Sequence, residues 1–98
     1  MLAVWKYPML LPLVDDFQMA MQVGAKVLTV QMQDGTPCIW ALVDPDQPTD
    51  LFDFRLAGTG HRIHGGLDGG FDAFDYVGTF QLPEEGLVFH LFLRQFVR

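Results

Sequence analysis

The sequence predicts an all-β fold, namely a small antiparallel β-sandwich or barrel of about seven strands with one glycine-rich loop. Apolar and polar residues alternate with a period of two along most of the chain, as they do in strands with one face in the core and one in water. Turn-forming residues separate these stretches at short intervals, which is typical of a sandwich or a small barrel. At this length of 98 residues, we expect residues 1–98 to form a single β domain.

Four strands are predicted in the first half of the chain. Residues 2–7 are rich in strand formers and end at a proline, and residues 17–23 alternate between apolar and mostly polar side chains. Residues 27–33 and 36–43 flank an Asp-Gly dipeptide. This dipeptide favours a two-residue hairpin turn, because both central residues of that turn need a positive φ.

The two-residue turn fixes the register of the first hairpin. Gln33 then pairs with Thr36, and Thr29 pairs with Trp40. One face of the hairpin is apolar and is predicted to belong to the core; it consists of Met32, Pro37, Val30, Ile39, Leu28 and Ala41. The other face is mixed; it consists of Thr29, Gln31, Gln33, Thr36, Cys38 and Trp40.

The second half of the chain starts with a strand and a loop. Residues 51–57 alternate, with Phe52, Phe54 and Leu56 on one side, and that side is predicted to be buried. Residues 58–70 contain six glycines among thirteen residues, which is too many for a regular element. They are therefore predicted to form a loop, and residues 71–75 either make one helical turn or simply cover the core.

The last third of the chain is predicted to be a second hairpin, with strands at 76–82 and 87–93. A four-residue turn between them places Phe80 opposite Phe89 and Thr79 opposite His90. Because residues 87–93 are apolar on both faces, we expect this strand to lie in the centre of a sheet.

The composition favours self-association. The chain is 50% hydrophobic and only 18% charged, against about a quarter charged in an average soluble domain. A small core does not readily hide so many apolar side chains, and monomers rarely expose large apolar patches. Either a homo-oligomer buries a shared face or a pocket keeps an apolar lining for a ligand, and we favour the homo-oligomer.

The charge and the cysteine count restrict the partners and the compartment. The net charge of −6 and the six scattered Lys and Arg residues predict that the chain does not bind duplex nucleic acid. The net charge does not exclude the binding of a small phosphate-bearing ligand, because a local positively charged site can oppose it. The single Cys38 allows no intrachain disulfide. Because a signal peptide and a membrane-length apolar run are both lacking, we expect a cytoplasmic protein without a membrane partner.

Several segments of the sequence resemble a known family. They are Val-Trp-Lys-Tyr at 4–7, Gly-Ala-Lys-Val-Leu at 24–28, Gly-Thr-Pro-Cys-Ile-Trp-Ala-Leu-Val-Asp at 35–44, Gly-Thr-Gly-His at 58–61, Tyr-Val-Gly-Thr-Phe-Gln at 76–81 and Gly-Leu-Val-Phe-His-Leu-Phe at 86–92. In this order they resemble a family of short proteins encoded by tailed phages and prophages, carried as a domain of unknown function. The resemblance implies a phage origin and a location in the host cytoplasm, and it implies no chemistry.

The glycine-rich loop is the first candidate for a ligand-binding site. Successive backbone N–H groups in such loops can form a concavity that binds anions. The side chains of Thr59, His61, Arg62 and His64 would add hydrogen bonds or charge around Gly60. The alternative is a flexible surface loop whose glycines only form turns. The sequence of a P-loop and the dinucleotide-binding fingerprint are both absent.

The histidines and the cysteine have simpler explanations than metal binding or catalysis. His61, His64 and Asp68 could ligate a metal, but structural zinc sites gather three or four well-placed ligands, so these residues are predicted to be ordinary polar loop residues. Cys38 lies in a strand, where a small thiol commonly packs. His90 is predicted to stay neutral while bonding its cross-strand threonine. We therefore expect no metal, no cofactor and no catalytic residue.

Trp40 is the second candidate. An aromatic ring beside amide and hydroxyl groups suits stacking on a flat ring such as a nucleobase. It equally suits a subunit interface, where tryptophan is often an energetic anchor. We favour the interface, and the two roles can coexist if a ligand lies between subunits.

The sequence supports two functional hypotheses of different classes. The first is a phage-encoded, non-enzymatic binding protein that acts in counter-defence by capturing a small nucleotide-like signal molecule, with phosphate or ribose at His61 and Arg62 and the base on Trp40. The alternative is a protein–protein interaction module, either a virion or assembly accessory or an inhibitor that docks on a host protein. An enzymatic function is the third hypothesis.

Overall fold

The computed structural model describes residues 1–63 and 70–95. The described residues form seven strands in two antiparallel sheets, which confirms the predicted all-β fold as a sandwich. One short 3₁₀ turn, Phe71–Ala73, precedes the sixth strand. The strands are β1 Ala3–Pro8, β2 Asp16–Gln22, β3 Lys26–Gln33, β4 Thr36–Val43, β5 Thr49–Gly58, β6 Phe74–Leu82 and β7 Leu87–Arg94.

The two sheets differ in size. One has three strands in the order β1-β4-β3, and the other has four strands in the order β2-β5-β7-β6. β7 therefore lies between β5 and β6, which confirms its predicted central place. The part of the chain that the structure describes holds no helix that could span a lipid bilayer.

The core lies between the two sheets and follows the alternation of the sequence. Phe52, Phe54 and Leu56 are each at most 3% exposed, as the period-two pattern of β5 predicts. The ring of Phe54 stacks on that of Phe17 at a centroid distance of 5.2 Å. Further residues that fill the core are Met9, Met21, Val30, Ile39, Ala41, Val43, Phe80 and Leu91.

A close approach between β3 and β6 closes one side of the sandwich. A Cβ atom on Gly78 would lie 3.1 Å from Val30 Cγ1, which is closer than ordinary van der Waals contact. Glycine at this position therefore lets the two edge strands approach each other. On the opposite side of the sandwich, the Tyr7 hydroxyl of β1 donates to Gln22 Oε1 of β2 at 2.6 Å.

The predicted register of the first hairpin is confirmed from Gln33 opposite Thr36 as far as Thr29 opposite Trp40. The prediction that Leu28 faces the core is wrong. A β-bulge between Val27 and Thr29 shifts the register, so that Val27 takes the place opposite Ala41. Because a bulge adds one unpaired residue to its strand, Leu28 turns outward and is 45% exposed.

The two hairpin turns also match the sequence. Asp34 and Gly35 have φ values of 50° and 81°, which is the positive φ at both central residues that their turn requires. In the second hairpin, Phe80 pairs with Phe89, and Thr79 pairs with His90. Both predicted cross-strand pairs are therefore confirmed.

Candidate functional site

The residues that begin the glycine-rich loop lie where β5 extends beyond its neighbour β2. The pairing of these two strands ends at Asp16 opposite Arg55, and the last bond on this side runs from Leu56 N to Asp15 O at 2.7 Å. Backbone groups alternate sides along a strand, so the N–H of Gly58 points to the same side as that of Leu56. No strand of the described chain pairs with β5 on this side at Gly58, so no ladder hydrogen bond uses its N–H.

A tight turn then positions the first polar side chains of the loop. His61 N donates to Gly58 O at 3.1 Å, while Thr59 N donates to Val88 O on β7 at 3.1 Å. Gly60, the third residue of this turn, has a φ of 77°, and a type II turn needs a positive φ there. The residues of this turn therefore determine the point at which the chain, at His61, leaves the sheet.

A cavity of about 380 Å³ lies beside this turn. Its nitrogen-bearing side chains are Arg55, His61 and Arg62. The imidazole of His61 packs on Gly58, where a Cβ atom would lie 2.8 Å from Nδ1, so glycine makes room for the ring. The remaining lining residues are Asp15, Leu56, Ala57, Gly58, Ile63 and Phe89.

Charges of both signs surround this cavity, and Arg62 is the cation among them that an anion could approach. Arg55 forms an ion pair with Asp16 at 2.9 Å, and Asp15 adds a carboxylate to the lining. His61 and Arg62 are both exposed, and Arg62 has no ion pair within residues 1–63 and 70–95. A guanidinium of this kind offers several donors in a fixed fork that suits phosphate oxygens.

A chain of hydrogen bonds links this loop to the outer face of the four-stranded sheet. His90 Nε2 lies 2.6 Å from Thr59 Oγ1, and His90 Nδ1 lies 2.9 Å from Thr79 Oγ1. The Tyr76 hydroxyl hydrogen-bonds Thr79 in turn, and Thr59 Oγ1 lies 3.5 Å from the carbonyl oxygen of Val88. An imidazole with its proton on Nε2 is consistent with all of these bonds, because each threonine hydroxyl then donates to one neighbour and accepts from the other, and the Tyr76 hydroxyl donates to Thr79.

The bond from His90 to its cross-strand threonine confirms the predicted partner of this histidine. The second partner, Thr59, was not foreseen. It follows from the pairing of β5 with β7, which places Ala57 opposite His90. Residues 59–73 and the strand β6 separate β5 from β7 in the sequence, so no short-range pattern indicates their pairing.

Aromatic residues on the same outer face were also missed. Tyr76 pairs with Phe92 across the strands, and the two rings make a T-shaped contact at a centroid distance of 5.5 Å. The guanidinium of Arg94 lies 4.7 Å from the ring centroid of Phe74. The signal was present in the sequence, because His90 and Phe92 are two residues apart and therefore share a face.

Trp40 does not lie at this cavity or on this outer face. It belongs to β4 in the three-stranded sheet and points away from the core that holds its neighbours Ile39 and Ala41. One chain therefore does not bring Trp40 together with His61, which follows a strand of the other sheet. The indole Nε1 of Trp40 is buried and has no hydrogen-bond partner among the described residues.

Two of the predicted loop residues, His64 and Asp68, lie outside the described residues. Across residues 1–63 and 70–95, no three His, Cys, Asp or Glu side chains are grouped so that they could hold a metal ion. Cys38 is buried, and its Sγ lies 3.5 Å from the carbonyl oxygen of Thr36.

A second cavity, of about 410 Å³, lies between β1 and β2. Its lining is mostly apolar and includes Met9, Leu13, Phe17 and Met19. Leu10, which also lines it, is 87% exposed. The surface on this side of the sandwich therefore suits an apolar contact rather than an anion.

Residues 1–97 match the model of a family described as a domain of unknown function, DUF7352. No match was found among curated proteins or among solved structures.

Proposed function

This chain belongs to the DUF7352 family of domains of unknown function, and we propose that it is a non-enzymatic protein that captures a small, phosphate-bearing, nucleotide-like ligand. The observation that carries the proposal is the cavity beside residues 58–63. There His61 and Arg62 lie next to the part of β5 that extends beyond its pairing with β2. Its volume of about 380 Å³ falls within the range of roughly 300–1,000 Å³ that is usual for small-molecule sites.

The net charge of −6 does not prevent such a site. At physiological ionic strength, charges are screened over about 8 Å, so an anion at the cavity responds mainly to the side chains that line it. Arg62 supplies a guanidinium, His61 an imidazole and Gly58 a backbone N–H at this end of the strand. Together these are the donor types that hold phosphate groups in proteins.

The biological role that we propose is counter-defence. In this role, a phage-encoded protein in the host cytoplasm removes a nucleotide signal that activates host immunity. The resemblance to short proteins of tailed phages supports this origin. The high apolar content of the chain supports a homo-oligomer as the active form.

The proposal is tested by adding phosphate-bearing compounds to the purified full chain and measuring the melting temperature. The compounds are inorganic phosphate, nucleoside monophosphates, cyclic dinucleotides and ADP-ribose. A ligand at one hundred times its Kd stabilises the native state by about 2.7 kcal/mol. At 4–8 °C per kcal/mol, the expected shift is roughly 11–22 °C.

Two single-charge variants locate the site. Arg62→Ala removes an exposed guanidinium at the cavity, whereas Lys26→Ala removes an exposed cation from β3 in the other sheet. We expect Arg62→Ala to reduce the ligand-induced shift and Lys26→Ala to leave it intact. If none of the compounds raises the melting temperature, or if both variants reduce the shift equally, the proposed function is wrong.

A protein–protein interaction module is the second candidate, and the apolar cavity between β1 and β2 favours it. Leu10, Leu11 and Val14 beside this cavity are 87%, 62% and 53% exposed. A virion component or a host enzyme that docks there would cover these side chains. In this case Leu10→Ser would abolish co-purification with the partner and leave the melting temperature of the free chain within about 2–4 °C.

A further inference from the structure

We propose that the outer face of β7 and β6 binds the planar base of the captured ligand, with the rings of Tyr76 and Phe92 as the stacking surface. This inference rests on the proposed function and assigns the base to residues other than Trp40. The phosphate then lies at the cavity beside β5, and the base lies across the sheet from it.

The exposure of the two rings supports a stacking role. Tyr76 is 57% exposed, although it carries a large apolar ring. Its T-shaped contact with Phe92, at 5.5 Å between ring centroids, leaves ring surface of Tyr76 in contact with water. Aromatic rings associate in stacked or edge-to-face pairs, so a third planar ring can be added to this pair.

The order of the strands joins the two rings to the phosphate cavity. Arg55 on β5 pairs with Phe92 on β7, and Phe92 pairs with Tyr76 on β6. Arg55 is also part of the cavity lining. Neighbouring strands are about 4.8 Å apart and residues rise about 3.3 Å along a strand, so the row from Arg55 to Tyr76 spans about 10 Å, and Gly58, three residues further along β5, lies about 14 Å from Tyr76.

The orientation of Tyr76 is fixed before a ligand arrives. Its hydroxyl bonds Thr79, which bonds His90, and His90 bonds Thr59 at the start of the loop. A side chain that is already ordered loses less conformational entropy on binding. The same row of hydroxyl and imidazole groups lies beside the rings and offers hydrogen bonds to the ribose or to the edge of the base.

The experiment compares three kinds of probe on the full chain by titration calorimetry: inorganic phosphate, ribose 5-phosphate and the four nucleoside 5′-monophosphates. We expect at least one nucleotide to bind more tightly than ribose 5-phosphate. Stacking on one aromatic side chain changes affinity by roughly fivefold to over a hundredfold. Tyr76→Ala should remove a gain of this size for the nucleotide and leave the Kd of ribose 5-phosphate within about twofold.

Two further variants separate stacking from positioning. Tyr76→Phe keeps the ring and loses only the bond to Thr79, so it should retain most of the gain. Phe92→Leu keeps an apolar side chain in the sheet but removes the second ring, and it should weaken nucleotide binding and not ribose 5-phosphate binding. Circular dichroism of each variant shows whether the sheet has formed.

The outcomes distinguish this inference from the function on which it rests. If ribose 5-phosphate binds and no base improves its affinity, the base does not stack on this face, and the phosphate site remains. If Tyr76→Ala weakens ribose 5-phosphate and the nucleotide equally, Tyr76 acts only by positioning the loop, which overturns the stacking role. If none of the probes binds, the proposed function itself is wrong. Dimerisation that is lost in Tyr76→Ala without any nucleotide binding would assign the face to a subunit interface instead.

Discussion

Replacing Leu91 by alanine tests the central position of β7 and the location of the core. Leu91 is fully buried in β7, which lies between β5 and β6. Leu87, in the same strand, is the matched control, because it is 39% exposed and pairs with Leu82 at the end of the hairpin. Both substitutions remove the same atoms from the same strand, so they differ only in what surrounds the side chain.

The expected magnitude follows from the burial of Leu91. Leucine to alanine removes about three carbon atoms, and each buried methylene contributes about 0.8 kcal/mol, which gives roughly 2.4 kcal/mol. A cavity left in a packed core raises the loss to between about 2.7 and 5 kcal/mol. We therefore expect Leu91→Ala to lower the free energy of unfolding by about 3 kcal/mol. Leu87→Ala, already partly in water, should lower it by less than about 1 kcal/mol.

The assay is thermal unfolding followed by circular dichroism, with all proteins at one concentration because self-association makes Tm concentration-dependent. In a chain of this size 1 kcal/mol corresponds to roughly 4–8 °C, so Leu91→Ala should lower Tm by about 12–24 °C and Leu87→Ala by at most about 8 °C. Equal losses of Tm in the two variants would refute the central, buried position of Leu91.

Three other predictions concern single residues. Leu28→Ser should change the free energy of unfolding by less than about 0.5 kcal/mol, because the bulge turns this leucine outward. A loss above about 2 kcal/mol would show that the side chain of Leu28 is buried in the core. Burial raises the pKa of Tyr7 above its ordinary value of 10.0, so the native state keeps a proton that the unfolded chain loses, and stability should fall as pH rises above about 10. Urea titrations at increasing pH should show a weaker fall for Tyr7→Phe, which also costs about 1 kcal/mol through the lost bond to Gln22. Gly58→Ala places a Cβ 2.8 Å from the His61 ring and should weaken phosphate binding severalfold in calorimetry while lowering Tm by less than about 8 °C; unchanged affinity would show that His61 does not contact the ligand.

Much of the fold could be predicted because its signals are short-range. The Asp-Gly turn and the four-residue turn each connect adjacent strands, so the turn length alone sets the pairs Gln33 with Thr36 and Phe80 with Phe89. The same logic failed at Leu28, because a bulge inserts one residue and reverses the side to which the alternation points.

The candidate site could be predicted only in part. Glycine-rich composition indicated the loop, and the turn at 58–61 does place His61 and Arg62 at a cavity. The other wall of that cavity, with Asp15 and Arg55, comes from segments about forty residues apart in sequence. No period or turn in the sequence connects them, because their proximity depends on the pairing of β2 with β5.

By itself, the sequence determined which segments are strands, which face of each is buried except at the bulge of β3, and how each hairpin is registered next to its turn. It could do so because alternation and turn chemistry act between near neighbours in the chain. Only the tertiary structure decided that β5 pairs with β7 and joins Thr59 to His90, and that Trp40 belongs to the opposite sheet. Those pairings join segments distant in sequence. They are selected by the total apolar surface that the two sheets bury against each other, and this sum is a property of the whole chain rather than of any one stretch of it.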